Sequence, residues 1–277
     1  MKKKALGILL SMTMVLLSAC AYLPAAAPAS GEAEAAAPAA EKQESDLEYI
    51  KGKGTLIVGI TNFEPMDYPD EDGNWIGFDA EVAEKVADSL GVECEFIEID
   101  WDNKILELDN KSIDCVWNGM TLTDEVKKSM ECTRAYCNNA QTVVMKAEAA
   151  ADYPDADSMK ELSFAVENGS AGEAAAEEAG FKITAMNAQA DALMEVAAGT
   201  SDACVIDLLM AGAMIGEGTS YPDLTHTINL TSEEYGVGCR KGSDLAEYIN
   251  GQFDAYAAGG SLEEIAKTYG VQDALIK

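Results

Sequence analysis

Three stretches of the chain combine residue types that can do chemistry. In "NGSAGEAA", residues 168–175, a predicted helix opens after a polar loop. The free N–H groups of its first turn, the Ser170 hydroxyl and the positive end of the helix dipole make a seat for an anion. In "ACVID", residues 203–207, a carboxylate closes an apolar run. Asp207 left unpaired there would be costly; it can meet a cation, and capping the helix predicted for "LLMAGAMIG" is compatible with the same position. In "WNGMTLTDEVKK", residues 117–128, a polar turn follows an apolar run, and Val126 stands between an acidic pair and a basic pair.

Other chemistries lack their residues. The chain contains no GxxxxGK[ST] phosphate loop, no HExxH and no GxSxG. A single histidine, His226, argues against a zinc site, and neither a metal nor a cofactor is expected. Six cysteines follow Cys20: Cys94, Cys115, Cys132, Cys137, Cys204 and Cys239. Cys115 and Cys204 lie inside apolar runs and read as small core residues; whether Cys132 and Cys137 are bridged stays open. The formal charge is −30, and removing residues 1–19, with three lysines and no acid, takes it to −33. Nucleic acid and anionic lipid surfaces are poor partners for such a body, since either needs a basic patch.

The elements that must position these residues follow from periodicity. Strand, helix, strand, helix, strand runs through "TLIVGI", "FDAEVAEKVADSLG", "VECEFIEID", "DNKILELDNKS" and "IDCVWNG". The same order returns in "LSFAVENG", "AGEAAAEEAG", "FKITAMN", "ADALMEVAAGTS" and "DACVIDL". Phe78, Val82, Val86 and Leu90 sit at helical spacing, with Gly91 closing the helix. Alternation of this kind predicts two similar α/β lobes with mostly parallel sheets. "AQTVVMK" and "YGVGCRKG" read as crossover strands that make a two-segment hinge, and "SDLAEYINGQFDAYAAGG" and "SLEEIAKTYGV" as closing helices. Ligands of open parallel sheets sit beyond the carboxyl ends of strands. That rule directs attention to residues 61–68, 100–102, 118–123, 169–173 and Asp207.

The N-terminus is expected to lie outside the folded body. Lys2, Lys3 and Lys4 precede an apolar stretch too short for an ordinary membrane span, which reads as an export signal over residues 1–19. "LSAC", ending at Cys20, resembles a lipobox, so Cys20 is the expected lipidated residue. The alternative is cleavage elsewhere, with Cys20 a bystander. Residues 20–47, mostly Ala, Pro, Gly and Glu, read as a tether. Lobe 1 is expected to take 48–143 plus 239–277 and lobe 2 to take 144–238.

Six stretches in order, "GTLIVGITNFEPMDY", "GNWIGFDAEVAEKVADSLGV", "EFIEIDWDN", "IDCVWNGMTLTDE", "AVENGSAGEAA" and "EEYGVGCRKGSDL", together resemble the amino-acid-binding lipoproteins of bacterial ABC importers, the family 3 solute-binding proteins. The resemblance covers about residue 48 to the C-terminus. It implies a periplasmic-binding-protein-like fold that closes around a small amino acid or similar zwitterion. It also implies a monomer, lipid-anchored on the extracytoplasmic face of the cell membrane, that partners an ABC permease with its ATPase.

On that resemblance Phe63 and Trp101 fall where relatives sandwich the ligand between aromatic walls. Asn118, Gly119 and Thr121 match the turn that holds the head group, Ser170 and Ala171 match the helix-opening loop, and Asp207 matches the carboxylate that pairs with the ammonium. Relatives carry "TxTxxR" at the turn, the arginine clamping the ligand carboxylate; here its place is Val126. Several replacements are open: Arg134, Lys104 or Lys127, Ser170 with Thr121 and backbone N–H groups, or a ligand without an α-carboxylate. Asn62, Asp67 and Tyr235 are further candidates for the lining. Two other functions on the same fold remain: a cyclohexadienyl-dehydratase-like enzyme, with Glu173 and Asp207 as candidate acids, and a ligand-binding sensor subunit.

Overall fold

The computed structural model describes residues 45–276, so the export signal, Cys20 and nearly all of the tether lie outside the described residues. The first element is one that periodicity missed. Ser45 caps a helix, α1 (Asp46–Lys53), by accepting from the Glu48 amide, and Gly54 ends it in the left-handed conformation. Residues 45–47, inside the stretch expected to be tether, therefore belong to the folded body.

Along the chain follow β1 (Thr55–Ile60), a short ribbon of β2 (Tyr68–Pro69) and β3 (Trp75–Ile76), α2 (Phe78–Leu90), β4 (Glu93–Glu98), α3 (Lys104–Asp109), β5 (Cys115–Thr121), α4 (Asp124–Ser129), β6 (Glu131–Cys132) and β7 (Cys137–Asn139). Then come β8 (Gln141–Lys146), β9 (Ser163–Glu167), α5 (Ala171–Ala179), β10 (Lys182–Met186), α6 (Gln189–Ala198), β11 (Ala203–Asp207), α7 (Leu208–Met214) and β12 (Leu224–Asn229). The chain closes with β13 (Glu233–Cys239), α8 (Leu245–Gly259) and α9 (Ser261–Thr268). In α2 the apolar face Phe78, Val82, Val86 and Leu90 is buried, and Gly91 stops the helix with φ +74°. Each such side chain contributes about 1.5–3 kcal/mol on burial.

The strands form two main sheets within one compact unit, ordered β4-β1-β5-β13-β6, with β7 also on β13, and β10-β9-β11-β8-β12. Three strands of each sheet run parallel: β4, β1 and β5 in the first, and β10, β9 and β11 in the second. β13 pairs antiparallel with β5, and β8 pairs antiparallel with β11. Antiparallel pairing arises where the chain enters a sheet from the other lobe, which is where the expectation of mostly parallel sheets needs amending.

The two crossings can be placed from strand pairing. The chain leaves the first sheet after Asn139, enters the second at Gln141, leaves that after Asn229 and re-enters the first at Glu233. The boundary expected at 143/144 falls inside β8 and the one at 238/239 inside β13. Both shift toward the N-terminus, because the ladder bonds of these strands run to one set of neighbours along their length. Lobe 1 packs Leu56, Val58, Ile60, Val82, Val86 and Phe253 in its core, and lobe 2 packs Val143, Phe164, Val166 and Val205. The six described cysteines are free thiols, so Cys132 and Cys137 are not bridged.

Candidate functional site

The carboxyl ends of β5, β9 and β11 face one another across a cavity of about 400 Å³ between the sheets. Lobe 1 lines it with Trp101, Asp102, Lys104, Ile105, residues 118–121 and residues 123–126; lobe 2 supplies Gln141, Glu167, residues 169–171, Ala174, Gln189 and Asp207. A larger groove of about 640 Å³ lies around Lys146, Tyr221 and Asp223, built from lobe 2 alone. A groove with one wall from one lobe gives no handle on lobe closure, so the interlobe cavity is the candidate site.

The lobes meet at its mouth. Lys104, buried at the start of α3, donates to the carbonyls of Trp101 (3.1 Å) and, across the cleft, Gly169 (3.0 Å). Its ammonium also lies 4.9 Å from the centre of the Trp101 ring, and burial lowers its pKa. Gly169 has φ +70°, and a Cβ there would stand 2.7 Å from Asp102 Oδ1 and 2.8 Å from Asp102 Cα. Only glycine lets the two backbones approach this closely.

Asp207 ends β11 with its carboxylate buried. Oδ1 accepts from Asn139 Nδ2, Gln141 Nε2 (3.1 Å) and the Tyr235 hydroxyl, Oδ2 accepts from Gln189 Nε2, and its amide donates to Gln189 Oε1 (2.8 Å). It stands at the N-cap position of α7, but its side chain makes no cap hydrogen bond there. A second carboxylate, Glu233, accepts from Thr121 Oγ1 (3.0 Å), Asn139 Nδ2 (2.7 Å) and Gln141 Nε2 (2.8 Å). Asn139, Gln141 and Glu233 flank the two crossings, so Asp207 is wired to the hinge. Burial, and then the charge of Glu233, push the Asp207 carboxyl up to about 7.

Glu167, at the end of β9, is 2% exposed and borders the cavity. Burial, and then the charge of Asp207, push it up to about 8, opposed by the neighbouring Thr61 and Gln189 side chains, whose donated bonds go to Asn118 and Asp207, and by the charge of Lys104. Its Oε1 has no hydrogen-bond partner. The strand-end rule would have found Glu167 had attention to this loop begun two residues earlier. Gln189, Gln141, Asn139 and Glu233 carried no sequence signal, because the hinge brings them together from 139 to 233.

Under the cavity floor, Asn118 joins Thr61 and Asp67: Nδ2 donates to Thr61 O (2.9 Å) and Asp67 Oδ2 (2.8 Å), and Oδ1 accepts from the Thr61 amide (3.1 Å) and hydroxyl (2.9 Å). Gly119 N donates to Asp79 Oδ2 (2.7 Å), which also accepts from the Tyr136 hydroxyl (2.7 Å). Asp67 and Asp79 are fully buried, and burial raises both, Asp79 to about 7.

The sequence-derived candidates divide as follows. Trp101, Asn118, Gly119, Thr121, Ser170, Ala171 and Asp207 border the cavity, as do Lys104 and Val126. Phe63 does not. It is 1% exposed, packs edge-on against Tyr235 at 6.3 Å and supports Gly119 from below. Arg134 is also turned away: Nη2 pairs with Asp254 (2.8 Å), Nη1 donates to Asn250 O (3.2 Å) and the guanidinium lies over Phe253, all on α8. Lys127 is exposed outside the cavity, and Asp67 and Tyr235 are buried beneath it. Glu173 accepts from Gly169 N (2.7 Å) and stabilises the loop rather than bordering the cavity. Ser170 caps α5 by accepting from Glu173 N (3.0 Å).

The same fold is found in known proteins. The family model of bacterial extracellular solute-binding proteins, family 3, matches residues 56–272. The chain belongs to that family. A relative, the L-arginine-binding protein of Pseudomonas aeruginosa, is 31% identical over 224 residues, covering 76% of this chain and 86% of that protein. Among solved structures, holo ArgBP from T. maritima has a TM-score of 0.70 at 31% identity, covering 76% of this chain and 93% of that one. An ABC uptake transporter substrate binding protein from Streptococcus pneumoniae with bound histidine has a TM-score of 0.75 at 25% identity, covering 84% and 99%. A two-lobed α/β body is thus shared by this family-3 chain and its neighbours.

Two expectations follow. Gly119→Ala places a methyl 2.4 Å from Phe63 Cε1 and 3.1 Å from Tyr235 at a backbone with φ +53°. It should destabilise the protein by about 1–3 kcal/mol in urea unfolding, and a loss under about 0.5 kcal/mol would refute the tight floor.

The second concerns pH. Glu167, Asp207 and Asp79 have native pKa values raised to about 8, 7 and 7, mainly by burial. The native state therefore holds more protons than the unfolded chain from about pH 4 to 8, and its stability falls as pH rises through that window. Lys104, lowered by burial, contributes the opposite sign at higher pH. Thermal melting of the unliganded protein should drop between about pH 5 and 8; a rise would contradict the burial of these carboxyls.

Proposed function

We propose that this chain is the receptor of an ABC importer. It binds a small amino acid or similar zwitterion between its lobes without turning it over and delivers it to a membrane permease with its ATPase. One observation carries the reading: the cavity draws its lining from both lobes, and Lys104 ties them at its mouth through Gly169. A ligand that touches both walls stabilises the closed form over the open one, which is what couples binding to recognition by a partner.

Trp101, Thr121, Ser170 and Asp207 are the proposed contacts, with Asn118 and Gly119 shaping the floor. The lipobox-like stretch ending at Cys20 supports anchoring of a monomer to the outer face of the membrane. Cys20→Ala should release the protein from the membrane pellet. Of the two acids considered for a dehydratase, Glu173 is held by Gly169 N away from the cavity, and Asp207, which borders it, is bound to Asn139, Gln141, Tyr235 and Gln189; this favours binding over catalysis.

The test is a thermal-shift screen of the common amino acids, dipeptides and polyamines, with mass spectrometry of the recovered ligand. A true ligand at 100 times Kd adds about 2.7 kcal/mol and is recovered unchanged. No shift across the screen would overturn the receptor reading, and conversion of the ligand would replace it with an enzyme.

A further inference from the structure

We propose that the cavity selects a small amine of net positive charge that need carry no carboxylate, with Glu167 as the seat of its ammonium group. This inference rests on the receptor reading and narrows its ligand from a zwitterion to a cation.

The first observation is an unmet acceptor. Glu167 is 2% exposed and borders the cavity, and its Oε1 has no hydrogen-bond partner. Buried carboxylate oxygens normally have donors, and one without a donor marks a place where another group completes the site. Asp207 is more nearly satisfied. Its Oδ1 already accepts from Asn139, Gln141 and Tyr235 and its Oδ2 from Gln189, which leaves room for a further donor on Oδ2 alone. Asp207 is therefore a secondary contact that also fixes Gln189 and the hinge beside Glu167.

The second observation is the charge of the walls. Asp102, Asp124, Glu125, Glu167 and Asp207 face the cavity against one cation, Lys104. Lys104 donates to Trp101 O and Gly169 O, so its ammonium is already engaged in joining the lobes. Without a cation, Glu167 is kept partly protonated at neutral pH by burial and by Asp207. An arriving ammonium restores its charge, as an opposite charge does for any buried acid. A ligand carboxylate would instead be set among these acids.

The third observation is the absence of a clamp. Both arginines of the chain are engaged elsewhere, Arg134 with Asp254 and Arg240 with Asp46 and Asp114. The wall at Val126 is apolar and packs with Trp101 and Met120. Together with Ile105 this surface suits the methylene chain of an aliphatic amine.

The test is titration calorimetry on the full-length chain with matched pairs: L-arginine and agmatine, L-lysine and cadaverine, L-ornithine and putrescine, with L-glutamine and L-glutamate beside them. Each amine should bind at least as tightly as its amino acid, and glutamine and glutamate about tenfold more weakly or worse. Glu167→Gln should weaken the amine by about 10- to 100-fold while circular dichroism and unliganded melting show an intact fold. An amino acid binding about tenfold more tightly than its decarboxylated partner overturns the inference, as does a Glu167→Gln protein with unchanged Kd. Glutamine binding without any amine binding overturns it and leaves the receptor reading standing. Binding of nothing in this panel or in the wider screen overturns both.

Discussion

Arg240→Leu should cost about 3–5 kcal/mol of stability, the largest loss expected from any single polar side chain of this protein. Arg240 is 8% exposed, and its guanidinium serves three segments at once. Nε and Nη2 bond Asp46 at 3.0–3.1 Å, Nη2 also reaches Asp114 Oδ1 (3.2 Å), and Nη1 donates to the carbonyls of Ile113 (2.6 Å) and Leu108 (3.4 Å). Removing it leaves Asp46 and Asp114 buried as like charges, with Lys53 Nζ (2.6 Å) and the Ile57 amide (2.8 Å) left on Asp114. The loss is large because desolvated charge stays behind, whatever the pair itself contributes. Arg240→Lys keeps a charge but loses the planar fork, and should fall between wild type and Arg240→Leu. Urea unfolding of the three proteins decides the matter. A cost below about 1 kcal/mol for Arg240→Leu would place the group in the weak class of exposed ion pairs. Because Asp46 opens α1, hydrogen exchange should also speed up first in residues 46–53.

Arg240 also marks the limit of what the sequence told. The repeated strand–helix order and the Gly91 stop in α2 were legible, since each depends on local periodicity or on one glycine, whereas the crossings fall just before the strands "AQTVVMK" and "YGVGCRK" that were read as the hinge. Also legible were the strand ends that line the cavity, including Trp101, Thr121, Ser170 and Asp207. Helix α1 was hidden because its stability comes from contacts at long separation: Asp244 accepts from Ser45 Oγ and from Leu47 N, and Arg240 holds Asp46. Arg134 looked like a clamp because it is one of only two arginines, yet nothing local shows that Asn250 and Asp254 on α8 wait for it. Phe63 lies just after a strand end, but its ring turns under Gly119 rather than over the cavity, a choice set by packing against Tyr235. Glu167 lay within reach of the strand-end rule, whereas the Asn139, Gln141 and Glu233 network depends on the two crossings lying side by side.

Val126→Arg should change ligand preference more than any other substitution at the site. Val126 is 6% exposed, occupies the first turn of α4 with its amide donating to Thr123 Oγ1 (3.1 Å), and borders the cavity. A long arginine stem can follow the Trp101, Met120 and Met130 surface that Val126 now packs on, while its head reaches the cavity. There the guanidinium meets a wall set with five acids and introduces a two-pronged donor where none exists. A ligand ammonium then competes with a tethered cation, and a ligand carboxylate gains a partner. Each effect is of the size of a charged hydrogen bond, about 1.5–3 kcal/mol, so cationic amines should lose about tenfold or more in affinity and amino acids should gain over their decarboxylated counterparts. Glu167 should also titrate lower, since an opposite charge favours its ionised form, and the fall in stability between about pH 5 and 8 should flatten. Calorimetry with arginine and agmatine reads the first effect, and melting against pH reads the second. If affinity, preference and pH profile all stay as in wild type, residue 126 does not face the ligand, and the assignment of this turn to the site fails. If the pH profile flattens while preference stays fixed, the guanidinium has reached Glu167 without disturbing the ligand, and Glu167 is not the seat of its ammonium group.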